Sequence, residues 1–564
     1  MDCLEKVLLK EVNKENLLET VNCFNCLYRY SGTEQGEKAV SYIEGKLDLY
    51  GVSYEHCEYD GFFSLPVSAE LSVGERTYSL IADVYSKETD NLKGELIYDH
   101  WSEKKKLTQL DNQVRFQAFK GKMVLSWDGK GTFAAEARRA GALAVIQICP
   151  TKGDYIHHSN IGIVWGTPDP DQEVYMQFLP AAGIRRSDGE ALIEELKREN
   201  VCGSLSIKMD TDIRKSSMTI ADIPGRSDSY ILVSAHYDSW YEGITDNAVS
   251  DAILLEYARL FKKYQKDLKR GIRIAWWSGH SDGRFSGSAW YCDSHWQDLH
   301  DHCVAHINLD LTGCKNSDQI VTRTAGTEGV SYTGKLIKKY TGCEPETYIP
   351  MIRGADQSFW GVSVPITIML KYEPVKEKRM SDCPSGGPWW HTNKDTIDKL
   401  DEAIMMRDTA INLEMICDIQ GSKTLPVNIS EFMADMGKRL EICLSSLTEN
   451  FDTTAIKEGW KELEEKFEWL AAWAENSYLE DKDLKETVGK LLHLIYCRKD
   501  PYHHDYGDGF GIFGAIGKFS GITGDNTTRE YYVMAQTGYM RSRNRLCDGM
   551  KDICGYIESM QKRS

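Results

Sequence analysis

The sequence is short of positive charge: 67 Lys and Arg stand against 85 Asp and Glu in 564 residues, a formal charge of −18. A nucleic-acid or anionic-membrane partner must exchange counterions for clustered cations on the protein, so this balance argues against both. Long apolar runs are missing too. Nothing approaches the 18 consecutive apolar residues of a membrane span, and the first ten residues alternate charged and apolar types where a secretory signal has an unbroken apolar segment. No low-complexity tract occurs, and a chain that is 41% hydrophobic and 10% aromatic is too apolar for disorder. A soluble cytoplasmic protein is expected, with its 16 cysteines as thiols rather than disulfides. Cys23-Phe-Asn-Cys26 has redox or metal spacing, but it lies in an amphipathic stretch and has no second such pair.

At about 150 residues per domain the length suggests three to four domains. Residues 35–51 place Ala39, Tyr42, Ile43, Leu47 and Leu49 near one helical face, with Gly51 as a stop. Residues 122–127 and 142–148 read as strands around a short Ala-rich helix at 132–141, which makes one βαβ unit. Ser187-Asp-Gly-Glu190 reads as a capping box that opens a second helix. The α/β pattern resumes near 217, with apolar strands at 230–235 and 272–277 and a strong helix at 252–261 between them. Strands alternating with helices predict a mostly parallel sheet covered on both faces. The last 140 or so residues are largely helical, with a stripe at Trp460, Leu463, Phe467, Leu470 and Ala474 that is expected to bury itself partly against a second copy of the chain.

Polar residues gather where those strands end, which is where an open α/β sheet builds its ligand crevice. The first strand runs into His236-Tyr-Asp238-Ser-Trp240, and Asp246-Asn247 precedes the 252 helix. A further strand ends in His306-Ile-Asn-Leu-Asp310, and Trp389-Trp390-His391-Thr392 comes later. His236, Asp246, Asp310 and His391 form a mixed nitrogen and oxygen set suited to zinc, and Asp238 stands two residues on, available to fix the tautomer of His236. Each member alone has a bland explanation as a cap or a core histidine. Their ordered recurrence at strand ends is what points to a metal.

These motifs, together with Ser278-Gly-His280-Ser-Asp282-Gly-Arg-Phe-Ser-Gly287-Ser288, Asn308-Leu-Asp310 and His391-Thr-x-x-Asp395-Thr, resemble those of the co-catalytic zinc aminopeptidases, and within them the glutamate carboxypeptidase II and transferrin receptor branch. The resemblance implies a catalytic domain split between 1–65 and 213–422, an inserted protease-associated β/α domain at 66–212 and a helical dimerisation domain at 423–564, hence a homodimer. It implies a first zinc held by His236 and Asp310 and a second by His391, with Asp246 bridging. In the family two consecutive glutamates supply the general base and a metal ligand. Counted back from Gly287-Ser288, this chain has His280 and Ser281 there, followed by Asp282.

Serine is a poor zinc ligand, so one or two ions remain open. A neutral imidazole at His280 can take a proton from water or ligate the metal through nitrogen, and Asp282 can supply a carboxylate. The expected activity is metal-dependent hydrolysis of a peptide or amide bond in a small substrate, with Arg284 and Arg353 as contacts for an acidic end. A non-catalytic, transferrin receptor-like binding or scaffolding protein is the other reading. Against it stands the presence of all four candidate ligands, which a protein freed from metal chemistry does not need.

Overall fold

The computed structural model describes residues 4–343, 348–351, 354–476, 479–507 and 511–563. A strand buried on both faces needs an unbroken apolar run, and Tyr230-Ile-Leu-Val-Ser-Ala is one: every residue of β8 (Tyr230–His236) is buried. Beside it lie β9 (Gly271–Trp277), β10 (Cys303–Asn308) and β13 (Ile366–Glu373), and β9, β8, β10 and β13 run parallel in that order. β11 (Gln319–Thr324) pairs antiparallel to β13, and β12 (Tyr348–Pro350) follows it. The expected mostly parallel sheet is therefore present. The helix expected at 252–261 spans Val249–Lys263 and packs its apolar face on the sheet.

The two longest strands were not expected from the sequence pattern. β1 (Ser53–Val73) and β7 (Val201–Ile223) form an antiparallel ribbon along almost their whole length, interrupted only at Pro66/Ser68, and the near end of β7 pairs with β9. The far end of the ribbon enters a second arrangement with β2 (Arg76–Ala82), β3 (Thr89–Tyr98), β4 (Lys122–Ser126), β5 (Ala144–Ile148) and β6 (Ala181–Ile184). Pairing runs β1, β2, β6, β5, β4, β3 and back to β7, so this circuit closes on itself around its own apolar core of Leu80, Leu125, Ile146, Ile184 and Leu205. β4, the helix Gly131–Arg139 and β5 make the expected βαβ unit.

Two expectations change. The helix Arg186–Leu196 begins before Ser187, and Glu190 pairs with Arg186 at 2.9 Å, so no capping box forms there. The stripe on helix Thr454–Asn476 is covered within the chain: Trp460, Leu463, Phe467 and Leu470 are buried, Trp460 lies edge-on to Phe513 at 5.8 Å, and helix Arg529–Gln561 packs alongside. That stripe offers no face to a second copy. These helices share one continuous apolar core with the parallel sheet. The described cysteines are all free thiols, Cys23 and Cys26 included. No described helix is long and apolar enough to cross a membrane.

Candidate metal centre

The C-terminal ends of the parallel strands converge on one crevice, as the topology requires. His236 is the last residue of β8, and its Nδ1 donates to the backbone carbonyl of Asp238 at 2.9 Å. That bond leaves the Nε2 lone pair pointing at Asp246 Oδ1, 3.1 Å away, and Asp310 Oδ1, 3.8 Å away. His236 Nε2 and Asp310 Oδ1 are both buried without a hydrogen-bond partner. A lone pair and two carboxylate oxygens repel one another unless a positive charge lies among them. Burial works against charging His236, yet Asp246 and Asp310 lift its pKa well above the ordinary histidine value.

Asp246 faces two imidazoles. Its Oδ1 meets His236, and its Oδ2 lies 3.3 Å from His391 Nε2. Asp395 holds the loop in place by accepting from the backbone N–H of Thr245 and Asp246 and from the Thr245 hydroxyl at 2.8–3.1 Å. His391 is fixed from the other side. Its Nδ1 donates to the carbonyl of His158 at 2.9 Å, the His158 N–H donates back to the His391 carbonyl at 3.0 Å, and Trp390 stacks on its ring at 3.5 Å. The sequence-predicted set of His236, Asp246, Asp310 and His391 is thus brought together, with both histidines locked at Nδ1 and open at Nε2.

His280 joins them. His236, His280 and Asp310 each place a donor atom within 4.8 Å of the others. The His280 Nδ1 is 2.6 Å from Asp356 Oδ2, and Ser288 donates to Asp356 Oδ1 at 2.9 Å. Burial would raise the Asp356 pKa, but the His280 imidazole holds it below the ordinary carboxylate value. The rings of His280 and His236 stack, with centroids 3.7 Å apart and planes within 11° of parallel.

Other candidates stand elsewhere. The Asp238 carboxylate does not set the His236 tautomer, since the carbonyl of the same residue does. The carboxylate instead accepts from the N–H groups of His280 and Ser281 at 3.1 and 2.9 Å and so shapes the turn that presents His280. Asp282 turns away to accept from the Ser31 N–H at 3.1 Å, and burial with the nearby Asp238 charge pushes its carboxyl up to about 8. It adds no carboxylate to the metal cluster. The guanidinium of Arg284 lies 5.3 Å over the Phe285 ring, and Arg353 lies outside the described residues. Three contributors had no assigned role. Asp356 sat in a loop with no motif to mark it, and His158 acts through a backbone carbonyl, which no sequence signal betrays. The third, Arg29, is fully buried and donates to the carbonyls of Phe24, Tyr237, Glu242 and Gly243 at 2.7–3.2 Å, clamping the segment between His236 and Asp246.

All four sequence-predicted ligands fall within one stretch that a known family describes. Residues 219–416 match peptidase family M28. This M28 stretch includes β8–β13 and leaves the closed strand circuit and the C-terminal helices outside. Aminopeptidase YwaD of Bacillus subtilis is 28% identical over 203 residues, which is 34% of this chain and 40% of that protein. The chain spans less than half the length of the curated relatives it matches. Among solved structures, an aminopeptidase from Aneurinibacillus sp. strain AM-1 covers 73% of this chain and 95% of its own, with a TM-score of 0.56 and 22% identity. BSAP, a zinc aminopeptidase from Bacillus subtilis, covers 72% and 94%, with a TM-score of 0.53 and 18% identity. At those identities the likeness is one of fold.

Proposed function

We propose that this chain is a zinc-dependent hydrolase that cleaves a peptide or related amide bond of a small substrate. The observation that carries the reading is the convergence of the His236 and His391 Nε2 atoms on the Asp246 carboxylate, beside an orphaned Asp310 oxygen. Such a donor set fits zinc and is too rich in nitrogen for magnesium. His236 and Asp310 would hold one ion and His391 a second, with Asp246 between them. Bound zinc supplies Lewis acidity, which polarises a carbonyl and lowers the pKa of water.

His280 is the general base in this reading. A histidine binds metal along the lone pair in its ring plane, and the parallel, stacked planes of His236 and His280 do not converge on one point. Asp356 keeps the His280 Nδ1 proton, so the Nε2 lone pair is free to accept the proton of the attacking water. We therefore expect His280→Ala to lower turnover by about 10²–10⁴-fold while keeping its metal, checked by kinetics alongside metal analysis. Unchanged turnover would return His280 to a plain turn residue, and loss of metal would make it a ligand.

The same reading takes Arg284 and Arg353 as contacts for an acidic substrate end, residues 66–212 as a protease-associated domain and 423–564 as a helical dimerisation domain. Those assignments, the homodimer and the cytoplasmic setting rest on the resemblance. The deciding experiment is metal analysis of protein purified without chelator, paired with a screen of dipeptides and N-acyl amino acids. Bound zinc and a turnover that chelation abolishes and zinc restores are expected. Metal-free protein inert towards the whole panel would favour the non-catalytic reading.

A further inference from the structure

The sulfur of Cys292, the carboxylate of Asp293 and the imidazole of His504 each place a ligand atom within 4.8 Å of one another. They come from two distant parts of the chain. Cys292 and Asp293 sit near the end of helix Ser286–Ser294, and His504 lies on the segment that follows helix Lys490–Tyr496. Cys292 is 3% exposed, whereas Asp293 opens to solvent. Beside the three lies a small cavity of about 10 Å³, which Cys497 and His503 also line. That is room for one water or one ion. His504 Nε2 is 3.0 Å from Asp293 Oδ1, so the two already meet across the gap between the segments.

We propose that Cys292, Asp293 and His504 form a second metal site that holds a single zinc ion and pins the C-terminal segment to the helix beside the catalytic centre. A thiolate, a carboxylate and a neutral imidazole together cancel the charge of a divalent ion, and sulfur with nitrogen selects zinc over magnesium or calcium. The fourth position faces the small cavity, where a water or the Cys497 thiol completes a tetrahedron. Binding displaces the thiol proton of Cys292 to solvent and replaces the direct contact between His504 and Asp293 with two bonds to the ion. The pinned helix also carries Ser288, the hydroxyl that donates to Asp356 and through it steadies His280. The site acts as a staple rather than a reaction centre, because its ion reaches no group of the catalytic crevice described above.

Cobalt distinguishes the two sites. The catalytic donors are nitrogen and oxygen only, so a sulfur-to-cobalt charge-transfer band in the near ultraviolet reports a cysteine ligand. Titrating metal-depleted full-length protein with Co²⁺ should produce that band. It should persist in His236→Ala and vanish in Cys292→Ser. In His504→Ala, whose change lies on a surface segment, cobalt affinity measured by the band should fall by about 10-fold or more. A wild-type spectrum without the band would overturn the proposal with no variant needed, and so would a band that His504→Ala leaves unchanged.

Discussion

His236→Ala is expected to leave the protein without its first metal ion and without hydrolytic activity. Its Nδ1 is committed to the Asp238 carbonyl, and its Nε2 faces both Asp246 and Asp310. Removing the ring leaves two carboxylates without the neutral donor that completes a zinc site. Loss of metal removes several kcal/mol of charge stabilisation in the transition state, which is on the order of 10³-fold or more in rate. Metal content by elemental analysis and turnover on the best substrate are the paired readouts. A variant that keeps the full metal content of the wild type would sink the ligand assignment. The proposed staple would keep its own ion in this variant, so the loss is read as a fall in metal content relative to the wild type.

The largest effect on stability is expected at Arg29. Its guanidinium is fully buried and satisfies four carbonyls from Phe24, Tyr237, Glu242 and Gly243. Each buried acceptor left without a donor costs about 1–3 kcal/mol. Because the neighbours relax together, the sum is not simply additive, and a net loss of roughly 3–5 kcal/mol is expected for Arg29→Ala. Arg29→Lys should recover little of this, because one ammonium on a flexible stem cannot reach four acceptors arranged around a planar fork. Three of these acceptors, on Tyr237, Glu242 and Gly243, lie on the segment between His236 and Asp246, so metal affinity should fall with stability. Denaturant unfolding of metal-free protein tests the first claim, and metal titration of the folded variant tests the second. An unfolding midpoint equal to that of the wild type would refute the clamp.

The parts of the fold written in local pattern were legible. The apolar runs at 230–235 and 272–277 became β8 and β9, the helix expected at 252–261 lies inside Val249–Lys263, and Gly51, in the left-handed conformation, ends helix Glu34–Tyr50. Continuous apolar strands and helix caps depend on neighbours a few residues away, so periodicity finds them. β1 and β7 escaped because their pairing joins residues up to about 170 positions apart in the chain, and their exposed middles carry no clean alternation. At the site, residue type at strand ends was enough to find His236, Asp246, Asp310 and His391. It misjudged Asp238 and Asp282, since each follows a candidate histidine by two residues and nothing local shows that one accepts from the His280 and Ser281 N–H groups and the other from Ser31. His158 acts through its carbonyl and Asp356 through a loop, so neither leaves a trace in composition or spacing.

The bond from His391 to the His158 carbonyl has a consequence for modularity. His158 belongs to the stretch between β5 and β6, within the closed circuit at the far end of the ribbon, and it orients His391, a proposed ligand within residues 219–416. The circuit therefore helps to set the proposed metal site and is no removable accessory. Excising residues 66–212 would remove the carbonyl that fixes the imidazole of His391, and a shortened chain would have to replace it to keep that ring in register with Asp246.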